Sequence, residues 1–193
     1  MTAIDLSLVS VRPAGPDDAD ALAAFAERAF RDAFGPHNRA EDMDAYCGAA
    51  FAVDRQRGEL ADRARYTALA VRRGELAGYV QLCGAPPPPC VTGPQPLELK
   101  RLYVDQRWHG GGVAAALMAH ALEIAEQRGA QTLYLAVWEH NHRAIAFYRK
   151  YGFEQVGSAA FTLGSDRQID PVMALRLPAA AATGVIRAAH PPG

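Results

Sequence analysis

The 193-residue chain has little that would mark it as a membrane, secreted or nucleic-acid-binding protein. No apolar run approaches the roughly 20 residues a helix needs to cross a bilayer. The start, Met1-Thr2-Ala3-Ile4-Asp5, has neither the basic cluster nor the apolar stretch of a signal peptide, so a cytoplasmic location is expected. An excess of one charge is missing too. Lys and Arg number 20 against 21 Asp and Glu, a net charge of -1, which leaves no basic stripe to track a phosphodiester backbone. Cysteine is scarce: Cys47, Cys83 and Cys90 are odd in number and form no C-x-x-C pair, which argues against a disulfide framework or a zinc site. His120, His140 and His142 lack ligand spacing with a carboxylate or cysteine cluster, and no metal is expected. What the chain does have is apolar residues, at 50%, enough for one compact domain with its own core. That domain is expected over residues 1–177, with 178–193 a mobile low-complexity tail.

Periodicity sets out the elements. Val9 and Val11 alternate with polar neighbours as a short strand, and Pro16-Asp17 opens a helix with Asp17 in the cap place. Its apolar side is Leu22, Phe25, Ala26 and Ala29, and Gly35-Pro36 breaks it. Asn38 and Glu41 read as a capping box for a second helix, with Met43, Tyr46, Cys47, Ala50 and Phe51 on one face. Tyr66 to Val71 and Glu75 to Cys83 read as a hairpin turning at Arg73-Gly74. The proline-rich stretch from Gly84 to Pro96 reads as a stiff, exposed connector, because proline cannot donate ladder hydrogen bonds. A strand from Leu97 to Val104, a helix from Val113 to Arg128 stopped by Gly129, and a strand from Gln131 to Val137 form a βαβ unit. A short helix from Arg143 to Tyr151 and a hairpin from Phe153–Phe161 and Ile169–Leu177 complete the sheet. The fold class expected is α+β: a mixed, mostly antiparallel sheet with one parallel pair, flanked by helices.

The turn Trp108-His109-Gly110-Gly111-Gly112-Val113-Ala114 carries the chemistry. Glycines let a backbone approach an anion closely, and a helix N-terminus supplies free N–H groups and partial positive charge. This is a pyrophosphate cradle in physical terms. Three specific readings compete with it. Gly110-x-Gly112-x-x-Ala115 fits a dinucleotide fingerprint, and with it a nucleotide-dependent oxidoreductase, but the glycines stand too far from the strand end and only one βαβ unit is available. A Walker loop is excluded, since no G-x-x-x-x-G-K-[ST] occurs. An esterase oxyanion loop, His109-Gly110-Gly111-Gly112, would need a G-x-S-x-G serine, and no serine has a glycine two places before it.

The same turn resembles the [QR]-x-x-G-x-[GA] motif of the GNAT superfamily of N-acetyltransferases. Anchored on the helix, His109 takes the Gln/Arg place, Gly112 the glycine and Ala114 the small residue; read literally, Arg107-x-x-Gly110-x-Gly112 matches two residues earlier. Downstream, the strand from Leu133 followed by Asn141-x-x-Ala144-x-x-Phe147-Tyr148-x-x-x-Gly152-Phe153 resembles the family's second motif at the right distance. Val137-Trp138-Glu139-x-Asn141 and Phe161-x-x-Gly164-x-Asp166-x-Gln168-x-Asp170-x-x-Met173 are similar to the bacterial spermidine/spermine N-acetyltransferase-like branch.

The resemblance implies acetyl-CoA as co-substrate and a small-molecule amine, a polyamine in that branch, as acceptor; a homodimer is compatible with it. It implies that Leu102, Tyr103, Val104, His109, Gly110, Gly111, Gly112, Val113, Ala114, Asn141 and Tyr148 bind the cofactor. Tyr148 takes the general-acid place or packs through its ring, and Asn141 binds the cofactor arm, caps a helix, or both. An ammonium has a pKa near 10.4 and must lose a proton before attack, so a base is needed. Glu98 is that candidate, or else a strand carboxylate paired with Lys100 or Arg101. Tyr46, Glu98 and Trp138 are expected to contact the amine, with Phe34 and Phe51 as further aromatic walls and Asp42, Asp44 and Glu139 as acidic neighbours. The alternative function is a catalytically silent acyl-CoA-binding regulatory or sensor module on the same fold.

Overall fold

The computed structural model describes residues 9–164 and 166–178, so the tail beyond Pro178 lies outside the described residues. Seven strands and five α-helices follow in the order β1 (Val9–Pro13), α1 (Ala19–Phe34), α2 (Ala40–Ala50), α3 (Val53–Ala61), β2 (Arg65–Arg72), β3 (Glu75–Cys83), β4 (Pro96–Val104), α4 (Val113–Gln127), β5 (Thr132–Ala136), α5 (His142–Lys150), β6 (Glu154–Leu163) and β7 (Asp166–Arg176). The strands form one sheet in the order β1-β2-β3-β4-β5-β7-β6. β4 and β5 run parallel, joined through α4, and the other described neighbours are antiparallel.

The helices cover both faces. Val113, Leu117, Met118, Ala121 and Ala125 of α4 bury against Val80, Leu82, Leu133 and Leu135, and Tyr148 of α5 joins that core with Phe153 just beyond it. On the opposite face Leu22, Phe25, Ala26, Ala29 and Phe30 of α1 pack with Met43 and Cys47 of α2 over Leu69 and Tyr79. Each fully buried Leu or Phe contributes about 1.5–3 kcal/mol relative to exposure, so the apolar stripes read from sequence are what hold these helices down. All three cysteines are free.

Two features of β4 open a gap in the sheet and sort its side chains between the two faces. Its pairing with β5 covers Pro96↔Thr132, Leu97↔Leu133 and Glu98↔Tyr134, while its pairing with β3 continues to Gly78↔Val104. The two parallel strands therefore splay after Glu98. A bulge lies in the same strand, where Leu99 pairs with Leu82 and Arg101 with Gln81, leaving Lys100 as the extra residue. The bulge shifts the alternation by one. Leu97 and Leu99 before it, and Leu102 and Val104 after it, all join the α4-side core. Glu98, Arg101 and Tyr103 are left to the α1 and α2 side.

Several expectations need correction. Asp17 is not a cap: α1 begins at Ala19, after a 3-10 turn, and Asp18 accepts the Gly15 N–H at 2.9 Å. Asn38 and Glu41 make no capping box. Arg39 precedes α2 without a side-chain cap, Asn38 is drawn away to the Phe34 carbonyl (2.8 Å) and Gln168 (3.1 Å), and Glu41 pairs with Arg39. The proline-rich stretch is not wholly exposed, since Val91 is buried with Tyr134 and Val172 and the Tyr134 hydroxyl donates to Ala85 at 3.4 Å. The last hairpin is longer than expected, β6 running to Leu163 and β7 starting at Asp166.

Candidate active site

The glycine turn ends in a helix start built for an anion. Gly110 (φ 75°) and Gly112 (φ 85°) both occupy the left-handed region, and Gly112 is the N-cap of α4. Ala116 N–H donates to Gly112 O at 3.0 Å, so the amides of Val113, Ala114 and Ala115 precede the first intrahelical bond. Gly111 serves differently: its carbonyl accepts from Arg72 at 3.0 Å, and a side chain there would collide with that guanidinium. Arg72 in turn lies 4.8 Å over the Trp108 ring.

Geometry decides between the two registers of the glycine motif. Arg107 turns away, held by Asp105 (3.1 and 2.9 Å) and Glu75 (3.0 Å). His109 instead lines the cleft beside the cradle. Its Nε2 lies 3.0 Å from Val104 O, and Arg143 of α5 contacts its Nδ1. A carbonyl can only accept, so Nε2 carries the hydrogen and Nδ1 accepts from Arg143. Burial and the Arg143 charge lower the His109 pKa, which keeps the ring neutral at pH 7. Arg143 was not foreseen; its only signal was a basic residue two places after Asn141.

The cleft has a volume of about 940 Å³ and runs from Gly110, Gly112, Ala114 and Ala115 along Leu102, Tyr103 and Val104 to Tyr148. Backbone alternation tells which β4 groups face it. Asp105 N–H donates to Ala77 O of the β3 side at 3.0 Å. Peptide groups alternate along a strand, so those of Leu102 and Val104 point away from β3, into the gap left by the splay. His109 reaching the Val104 carbonyl confirms the direction. A cleft of this shape, with unpaired strand amides at one end and a helix N-terminus at the other, fits an extended amide-bearing chain ending in a pyrophosphate. Val113, in contrast, has its side chain fully buried in the core, so only its amide is offered.

Asn141 caps α5, its Oδ1 accepting Ala144 N–H at 3.1 Å, and it also lines the cleft. The cap sets the orientation of the helix carrying Tyr148. Tyr148 is buried, packed edge-on against Phe153 at 5.7 Å, and burial alone raises its pKa above the ordinary 10. Its hydroxyl therefore stays protonated and able to donate.

A second cavity, about 510 Å³, lies on the α1 and α2 side. Tyr46, Phe30, Phe34, Phe51 and Phe161 form its aromatic wall, and Glu98, Lys100, Arg101 and Asp170 its charged groups. Tyr46 stacks on Phe30 at 4.7 Å, and Trp138 packs against Phe34 at 5.5 Å. Glu98 lines this cavity and not the first, with Lys100 Nζ at 3.1 Å. Tyr148 lines the first and not the second. The two candidate catalytic groups are thus not in one cavity. Tyr103 and Trp138 line both, and join them across the splay.

Beneath the second cavity sits a buried polar network that sequence did not reveal. Glu59 of α3 takes Arg101 at 2.8 Å, Gln81 at 3.2 Å and Arg55 at 3.2 Å. Burial pushes its pKa up, but Arg101, Gln81 and Arg65 outweigh that and hold it below the usual 4.5. Arg101 also lies 5.3 Å over Phe51, so the network fixes one wall of the cavity.

Comparison with known proteins places the chain in a family. Residues 22–153 match the acetyltransferase (GNAT) family. An uncharacterised N-acetyltransferase of Lactobacillus delbrueckii subsp. lactis is 30% identical over 170 residues, 88% of this chain and 95% of that protein. One from Mycobacterium tuberculosis is 35% identical over 161 residues, 83% of this chain and 98% of that protein. The crystal structure of the PaiA N-acetyltransferase of Thermoplasma acidophilum in complex with coenzyme A superposes with a TM-score of 0.72 at 17% identity, covering 88% of this chain and 99% of that one, a likeness of fold. The expected fold class, a mixed sheet with one parallel splayed pair between helices, holds. The chain belongs to the GNAT acetyltransferase family, a family of acyltransferases whose co-substrate is acetyl-CoA.

Proposed function

We propose that this acetyltransferase moves the acetyl group of acetyl-CoA to a primary amine of a small molecule, a polyamine in particular, by direct attack in a ternary complex in the cytoplasm. The observation that carries the reading is the pair of cavities meeting at Tyr103 and Trp138. One is built of backbone amides and suits a pyrophosphate and its amide arm; the other is walled by aromatic rings, its Lys100 paired with Glu98 and its Arg101 with Glu59, and suits a cation.

Bound acetyl-CoA supplies an activated carbonyl and a thiolate leaving group. The protein's own residues do the rest. Glu98 takes the proton from the amine, directly or through water, on the second-cavity side. The Leu102 and Val104 amides, fixed in the gap, receive the charge that develops on the carbonyl oxygen. Tyr148, held protonated by burial, gives a proton to the departing sulfur. His109 and Arg143 line the mouth of the cleft beside the helix N-terminus. Tyr46 and Trp138 hold the amine. The silent-sensor alternative would leave a protonated, buried Tyr148 in the first cleft without a task.

An amine panel tests the reading. Thiol release from acetyl-CoA is followed with spermidine, spermine, a monoamine of similar reach and amino-terminal peptides, each product checked by mass. Release with polyamines, accompanied by one acetylated amine per thiol, is expected. Release with none of the amines would overturn the proposal.

A further inference from the structure

Charge partners in the second cavity leave one group over. Lys100 is matched by Glu98 at 3.1 Å, and Arg101 by Glu59 at 2.8 Å. Gln168, the neutral donor nearby, is taken by Asn38 (3.1 Å) and Asp166 (2.7 Å). Asp170 of β7 also lines the cavity, is only 7% exposed, and its Oδ1 has no hydrogen-bond partner among the described residues. A carboxylate buried this deeply without a charge partner is destabilising until a cation arrives to pair it. The same cavity is walled by aromatic rings that attract cations, Tyr46, Phe161 and Trp138 among them. We infer that Asp170 is the residue that recognises the acceptor, its Oδ1 receiving the N–H of an ammonium group that stays charged throughout the reaction. The inference rests on the reading of this cavity as the acceptor site.

The nitrogen held there is not the one acetylated. A carboxylate contact favours the charged form of an amine, and a charged amine has no lone pair with which to attack. Asp170 therefore selects acceptors carrying a second cationic nitrogen. Burial, with the Glu139 charge behind it, pushes the Asp170 pKa up, and the Glu139 backbone amide favours the charged form only in part. The site waits for a cation more than it rests without one.

The test compares wild type with Asp170→Asn, which keeps size and removes charge. In the absence of substrates the variant should melt no lower than wild type, because an unpaired buried charge is gone. Its KM for spermidine should rise at least tenfold, while its KM for a monoamine of similar reach and for acetyl-CoA should change less than twofold. Spermidine should raise the Tm of wild type and not of the variant, a readout independent of turnover. A lower Tm in the variant makes Asp170 a structural residue and overturns the inference. So does an unchanged spermidine KM, or an equal rise for both amines. If wild type neither acetylates spermidine nor is stabilised by it, the acceptor reading itself fails and the inference falls with it. If wild type does both and Asp170→Asn matches it, only the inference fails.

Discussion

The two cavities of this acetyltransferase are made of different material. The first is backbone: a left-handed glycine N-cap, three helix-start amides and the peptide groups of Leu102 and Val104. The second is side chains from α1, α2, β4, β7 and the proline-rich stretch, steadied by a salt-bridged network reaching α3. Backbone binding needs the right φ and the right strand edge, and tolerates many neighbouring side chains. Side-chain binding needs particular atoms, each of which can be removed. Cofactor binding in the first should therefore fail through its glycine, and the second cavity through single polar groups.

Gly112→Asp is the severest way to break the first cavity. Asp tolerates the left-handed region better than most residues, so the fold survives a cost of about 1–2 kcal/mol. A carboxylate at the helix N-terminus proposed to hold the pyrophosphate should abolish the rise in Tm expected of wild type with acetyl-CoA. Tyr148→Phe comes next. Turnover should fall about 10²–10⁴-fold in the presence of saturating substrates, with the acetyl-CoA Kd within a few-fold, since the buried ring is kept. A fall of less than a few-fold, measured where chemistry limits the rate, makes Tyr148 a packing residue. Glu59→Gln probes the second cavity from below. Leaving Arg101 buried without its carboxylate should cost about 3 kcal/mol of stability by denaturant unfolding at pH 7. The sign with pH comes from the lowered Glu59 pKa. The contribution is complete above the usual 4.5 and is lost as pH falls through the lower folded value, so wild type and variant should converge in acid.

The same contrast explains what the sequence could show. The backbone-built half lies in one run, from β4 through the glycine turn to α5, and helix caps, periods and glycines are local signals. The β2–β3 turn was legible for the same reason, since Arg73 (φ 53°) and Gly74 (φ 81°) take left-handed conformations that mark a two-residue hairpin. Helix α3 was invisible because its buried side chains are Gln56 and Glu59, so no apolar period exists to detect. Asn38 looked like a cap, but its side chain is claimed by Phe34 and by Gln168, 130 residues away. Asp170 stood in a recognisable motif, yet only its burial and its place in the second cavity separate it from any strand carboxylate. Glu98 was placed correctly on β4, while the splay and bulge that send it to the second cavity are tertiary facts.

In the proposed reaction donor and acceptor occupy separate cavities at the same time and meet across Tyr103 and Trp138. Initial rates over a grid of acetyl-CoA and spermidine concentrations decide the matter, with the enzyme's intact mass recorded after acetyl-CoA alone. Intersecting double-reciprocal lines and an unmodified protein are the predicted result; parallel lines with an acetylated protein would contradict it.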